Sequence, residues 1–159
     1  MARTLILGIG NLLMTDDGIG VRVVQELVRR YRFPADVAVL DGGTLGLDLL
    51  PHLEGVERLL IIDAVMTGDP PGTVVRMTED QIPAVFATKL SPHQMGLQDL
   101  LAVAELLGHR PANMVLLGVQ PAEIELGDYL TPSVAVTLEP IIAGCLAELA
   151  TWNIYPQDK

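Results

Sequence analysis

Leu5-Ile6-Leu7 runs directly into Gly8-Ile9-Gly10, and two consecutive carboxylates, Asp16 and Asp17, follow. A short apolar run of this kind suits a strand buried on both faces. Glycines at its end form a turn where other backbone can pass close. The acids stand where a helix begins, since Gly20, Val23, Val24, Leu27, Val28 and Tyr31 share one face at helical spacing. That helix is expected from Asp17 to about Tyr31, closed by Phe33-Pro34. A buried strand, a glycine loop and acids at a helix N-terminus are the opening of an open α/β sheet. In such a sheet, ligands bind beyond the carboxyl ends of the strands.

The remaining chain alternates in the same way. Val37 to Leu40 reads as a second strand ending in Asp41-Gly42-Gly43-Thr44, with Thr44 placed to cap a short helix over Leu45 to Leu50, before Pro51. Leu59-Leu60-Ile61-Ile62 is the strongest strand, within Arg58 to Val65, and it ends on Asp63. The link from Met66 to Gly72 is too short for a crossover helix, so Thr73 to Met77 should pair antiparallel with a neighbour. Thr78 and Gln81 occupy capping-box positions. A helix from about Gln94 to Leu107 should bury Leu97, Leu100, Leu101 and Ala104, and Asn113 to Gly118 is another buried strand. The last helix begins near Thr131-Pro132 with a stripe of Val134, Leu138, Ile141, Ile142, Cys145, Leu149 and Trp152, and Pro140 should kink it or delay its start. The expected architecture is a single α/β domain over residues 1–159, a mixed sheet with helices on both faces.

Composition narrows the function. The chain has 159 residues, with ten basic against twenty acidic side chains and a formal charge of −10. Nucleic acid and anionic membranes need a basic face, so neither is expected as a partner. No uninterrupted apolar run approaches the roughly 18 residues of a membrane span. One cysteine permits no internal disulfide and fits a reducing compartment. The expectation is a soluble cytoplasmic domain.

Three of the strand ends carry an acid: Asp16/Asp17, Asp41 and Asp63. His93, in the loop Lys89-Leu90-Ser91-Pro92-His93, adds an imidazole, and two carboxylates with one imidazole suit a divalent transition metal such as nickel or zinc. Each residue also has a plainer reading. Asp16 can serve only as an N-cap, Asp41 as a turn residue, His93 as a solvated loop residue and Cys145 as core. Asp63 is the hardest to explain away, because it extends a fully apolar strand. Familiar nucleophiles are missing: the two serines, Ser91 and Ser133, lie outside any Gly-x-Ser-x-Gly turn. A nucleotide-binding module is the rival reading, supported by Gly8-Ile9-Gly10 and Asp41. Against it, Leu13 replaces the third glycine, and Asp16 and Asp17 would repel a pyrophosphate at the helix N-terminus.

Taken together, GIGNLLMTDDGIGV, DGGTLGLDLL, LLIIDAV, SPHQMGLQDLL and LLGVQP, in this order and spacing, closely resemble the hydrogenase maturation proteases. The resemblance covers Thr4 to about Leu149. It implies a three-layer α/β/α fold around a twisted, mostly parallel five-stranded sheet with one antiparallel strand. It also implies an endopeptidase that removes a short C-terminal peptide from a nickel-iron hydrogenase large-subunit precursor once nickel is in place; a monomer is expected, with the oligomeric state left open by the sequence. The nickel would arrive in that precursor, with zinc or cadmium able to stand in for it. The family's metal-binding residues fall on Asp17, Asp63 and His93, and Asp41, Gly42 and Gly43 would lie beside them where a peptide approaches. A nickel-checking chaperone using the same pocket is the alternative from a different class.

Overall fold

The computed structural model describes residues 3–83 and 100–159. Thr4–Ile9 (β1) is the strand on which the sheet is built: it pairs in parallel with Val37–Gly43 (β3) on one side and Arg58–Ala64 (β4) on the other. Asn113–Val119 (β6) continues the parallel set beside β4, and Val74–Thr78 (β5) closes the edge antiparallel to β6. The order is β3-β1-β4-β6-β5, the mixed five-stranded sheet with one antiparallel strand that the short link before Thr73 demands.

Strand alternation divides the core into two layers. On one face Ile6, Leu60, Ile62, Leu117 and Val119 pack against the helix Ile19–Arg30 (α1) and the C-terminal helix Leu138–Thr151 (α4). On the other, Leu5, Leu7, Leu59, Ile61 and Leu116 pack against Leu49, Leu53, Leu100, Leu101 and Ala104. Leu59 to Ile62 are all fully buried, each side chain contributing about 1.5–3 kcal/mol by burial. Cys145 lies in the first layer, and burial pushes its thiol up to about 12.

Several local expectations are corrected. Helix α1 begins at Ile19, and the acids belong to a separate 3-10 turn, Thr15–Gly18. Val28 is exposed and Tyr31 has left the helix for a two-residue strand, Tyr31–Arg32 (β2), paired with Gln157–Asp158 (β7). Pro51 does not end the helix after β3. A 3-10 turn, Gly46–Leu49, leads into Leu50–Leu53 (α2) with the proline in its first turn, where the missing amide hydrogen costs nothing, and Thr44 does not cap it. The last helix is split: Pro132–Ala135 (α3) stops, and α4 restarts at Leu138, so Pro140 falls in a first turn. Pro132–Thr151 is apolar enough on average (mean hydropathy 1.6) to resemble a membrane span. Its buried side chains face the sheet, and Glu148 pairs with Arg76 of β5. The Gln81 side chain accepts the Thr78 amide at 2.9 Å, one half of the expected capping box. Residues 100–106 are helical, with Leu100, Leu101 and Ala104 buried as the spacing requires; Gln94 to Leu97 lie outside the described residues.

Candidate active site

The chain passes from β1 out to β3, then returns to the far side of β1 to form β4. The strand order therefore reverses between β1 and β4, and the crevice beyond their carboxyl ends is where an open sheet takes its ligand. Two carboxylates stand at this reversal. Asp63 is the penultimate residue of β4 and is fully buried, opposite Gly118 of β6. Asp17 lies in the turn that follows β1, is also buried, and accepts the Asn11 amide at 3.0 Å on Oδ2. That turn packs directly on β4.

Close backbone contact sets this arrangement. A Cβ on Gly20 would come within 2.1 Å of the Ile62 carbonyl oxygen and 2.6 Å of that of Ile9. A Cβ on Gly10, whose φ is +134°, would lie 1.8 Å from the Asp17 carbonyl oxygen. Only glycines let the first turn of α1 sit on the ends of β1 and β4 at this height.

Asp16, one residue earlier, has a different task. It is fully buried and makes no capping bond to its own helix, which corrects the N-cap reading. Instead its oxygens accept four hydrogen bonds from the loop after β6. Oδ1 takes the Thr131 amide at 2.8 Å, and Oδ2 takes the Thr131 hydroxyl at 2.7 Å and the amides of Ala122 at 2.9 Å and Glu123 at 3.1 Å. Thr15 adds to this, its hydroxyl donating to the Glu123 carbonyl and accepting the Glu125 amide. A second anchor is Gln120, whose Oε1 accepts the amides of Thr67 at 2.7 Å and Gly68 at 3.2 Å. Asp16 and Gln120 thus fix the connections after β6 and β4 around the crevice. Gln120 carried only a faint sequence signal, a polar residue directly after an apolar strand.

Asp41 is exposed and accepts the Gly43 amide at 2.9 Å, a local turn that leaves Gly43 at φ +49°. Asp41 and Gly43 line a cleft of about 230 Å³ with Gly10, Asn11 and Thr44, next to the Asn11–Asp17 bond. Gly42 is buried, and a Cβ there would point at Leu7 and Ile9 of the core, 2.8 and 2.9 Å from their methyl groups. His93 lies outside the described residues. Among the described residues no group of three or more His, Cys, Asp or Glu side chains is arranged to hold a metal ion.

Comparison with known proteins decides the family. A family model described as hydrogenase maturation protease matches residues 21–148. The chain belongs to the hydrogenase maturation protease family. It is 48% identical over 154 residues to a hydrogenase expression/formation protein of Rhodobacter capsulatus, covering 96% of this chain and 73% of the relative. It is 42% identical to a hydrogenase 2 maturation protease of Escherichia coli, covering 92% and 90%. Among solved structures, a hydrogenase maturating endopeptidase from E. coli superimposes with a TM-score of 0.95 at 39% identity, covering 99% of this chain and 98% of that one. A [NiFe] hydrogenase maturation protease from Thermococcus kodakarensis gives a TM-score of 0.75 at 32% identity, covering 90% and 96%. Membership of this maturation protease family makes the chain a peptidase and the five-stranded domain its family fold.

Proposed function

We propose that this maturation protease removes a short C-terminal peptide from the large-subunit precursor of a nickel-iron hydrogenase after nickel insertion, in the cytoplasm and as a monomer. The observation that carries the reading is the pair of buried carboxylates, Asp17 and Asp63, at the strand reversal. Carboxylate oxygens, joined by the imidazole of His93, form a donor set suited to a nickel ion that the precursor brings with it; zinc or cadmium would stand in for nickel on the isolated protein. Asp17 is preferred to Asp16 as a ligand because both oxygens of Asp16 are committed to the loop after β6.

In this mechanism the precursor's tail is held against the crevice, with Asp41 and Gly43 beside it and Gly42 supporting that turn from the core. Buried carboxylates placed beside the scissile bond act as proton acceptors. As water adds to the scissile carbonyl, its proton passes to a carboxylate, and the same proton then reaches the departing amine as the peptide bond breaks. The metal ion would supply a fixed point that orients the tail.

Incubating the protein with nickel-loaded precursor and weighing the product tests this. A precursor shortened at its C-terminus by wild type, and left intact by Asp17→Asn, Asp63→Asn and His93→Ala, is the expected result. A bound precursor of unchanged mass would instead make the protein a nickel-checking chaperone.

A further inference from the structure

The connections that leave the carboxyl ends of β1, β3, β4 and β6 all emerge on one edge, because these strands run parallel. Residues 10–18, 41–49, 64–73 and 120–131 contain no lysine or arginine, while Asp41, Asp48, Asp69, Glu123, Glu125 and Asp128 are exposed on them. Large apolar side chains are exposed on the same connections: Leu13 at 60%, Leu45, Met66 and, most of all, Leu126 at 83%. The nearby cation Arg22 is engaged with the Asp128 carbonyl oxygen at 2.5 Å.

The connection after β6 is the most informative. It is ordered by main-chain bonds, the Thr15 amide to the Gly127 carbonyl and the Gly127 amide to the Leu13 carbonyl, both at 2.8 Å, in addition to the Asp16 anchor. Its side chains nevertheless remain exposed, alternating acid and apolar through Glu123, Ile124, Glu125 and Leu126. Single exposed leucines are ordinary, but several grouped beside a crevice mark a surface that another molecule covers. A second copy of this chain would bring acids against acids, which costs free energy.

We infer that this rim docks a polypeptide surface that is both basic and apolar, with Glu123, Glu125 and Leu126 as its main contacts. Resting on the proposed function, that surface belongs to the hydrogenase precursor and lies beside, rather than at, the bond that is cut. Cations of the partner pair with the acids, and apolar side chains between them cover Leu126 and Leu13. The arrangement raises the rate of encounter and fixes the orientation in which the tail enters.

The test uses wild type, the double variant Glu123→Lys/Glu125→Lys and, separately, Leu126→Ser. All three positions are exposed, and thermal melting checks that each variant folds. Binding to nickel-loaded precursor is measured by calorimetry at several salt concentrations, and processing by KM and kcat. Expected are a rise in Kd and KM of roughly tenfold for the double variant, a smaller rise for Leu126→Ser, unchanged kcat at saturation, and loss of the wild-type salt dependence in the double variant. Wild-type Kd and salt dependence in both variants would overturn the inference. So would a wild-type dimer in sedimentation that Leu126→Ser dissociates, since the rim would then join copies of this chain. If wild type binds the precursor without shortening it, the protease reading fails while the binding series still decides the docking surface.

Discussion

Asp16 takes both polar protons of Thr131, the amide at 2.8 Å and the hydroxyl at 2.7 Å. The two residues are 115 positions apart, so this one carboxylate closes a long loop of chain around the crevice. Asp16→Asn would turn an amide group toward donors it cannot accept. A loss of about 2–3 kcal/mol is expected, as for a buried charge-assisted bond left unmade. Urea unfolding measures it, and a variant as stable as wild type would show that the loop after β6 is held by other means.

Asp63→Asn is expected to act on the chemistry more than on the fold. The substitution keeps the size of the side chain and removes one of two acidic charges at the crevice, so a folded domain should persist, which thermal melting checks. Processing of nickel-loaded precursor should fall by roughly 100-fold or more, since an amide is a poor proton acceptor and a poor ligand. A variant that melts far below wild type and still processes would make Asp63 a structural residue.

Gly20→Ala should be among the most damaging small substitutions. The new methyl would meet two main-chain carbonyls, and neither can swing aside as a side chain would. About 3 kcal/mol or more of stability should be lost. Gly108→Ala is the control: there φ is +74° but none of the described residues lies within 4 Å of the added carbon, so the left-handed backbone is the main penalty, about 1–2 kcal/mol. Equal losses at the two positions would mean that α1 can lift from the strands.

Cys145 links stability to alkaline pH. Burial raises its folded pKa from 9.0 to about 12. The unfolded thiol therefore ionises first, and the stability that the buried, neutral thiol contributes is complete below pH 9 and is lost as pH rises toward 12. Cys145→Ala removes that titration and leaves a small cavity. The stability advantage of wild type over the variant should therefore narrow across the same interval. A thiol reagent at about pH 8, below the ordinary thiol pKa, should modify Cys145 only as fast as the protein unfolds; rapid labelling of the native state would contradict its burial.

The sheet was legible because its strands are nearly uninterrupted aliphatic runs, and the antiparallel edge because Met66 to Gly72 cannot span a crossover. Asp63 stood out for the same reason, as a charge at the end of such a run. Asp16 was not legible in its true role: its partners Ala122, Glu123 and Thr131 are distant in sequence, and nothing local separates a loop anchor from an N-cap. Gly42 and Gly43 look alike in sequence, yet one faces the core and the other the cleft, because the register between β1 and β3 shifts at Gly8 and Ile9. Pro51 misled because a proline ends one helix as readily as it begins another.

Alternation along β4 sends Leu59 and Ile61 to one layer and Leu60, Ile62 and Ala64 to the other, so Asp63 projects on the face occupied by Ile61 and Val65. Asp17, in contrast, is carried by the 3-10 turn that leads into α1, the helix packed on the opposite face. The two acids are therefore mounted like the jaws of a caliper, one on a strand and one on the entry to a helix, with the sheet as the frame. Their gap is set by how helix and strand are seated on each other, so a repacked side chain deep in either layer would move one carboxylate against the other without touching an acid.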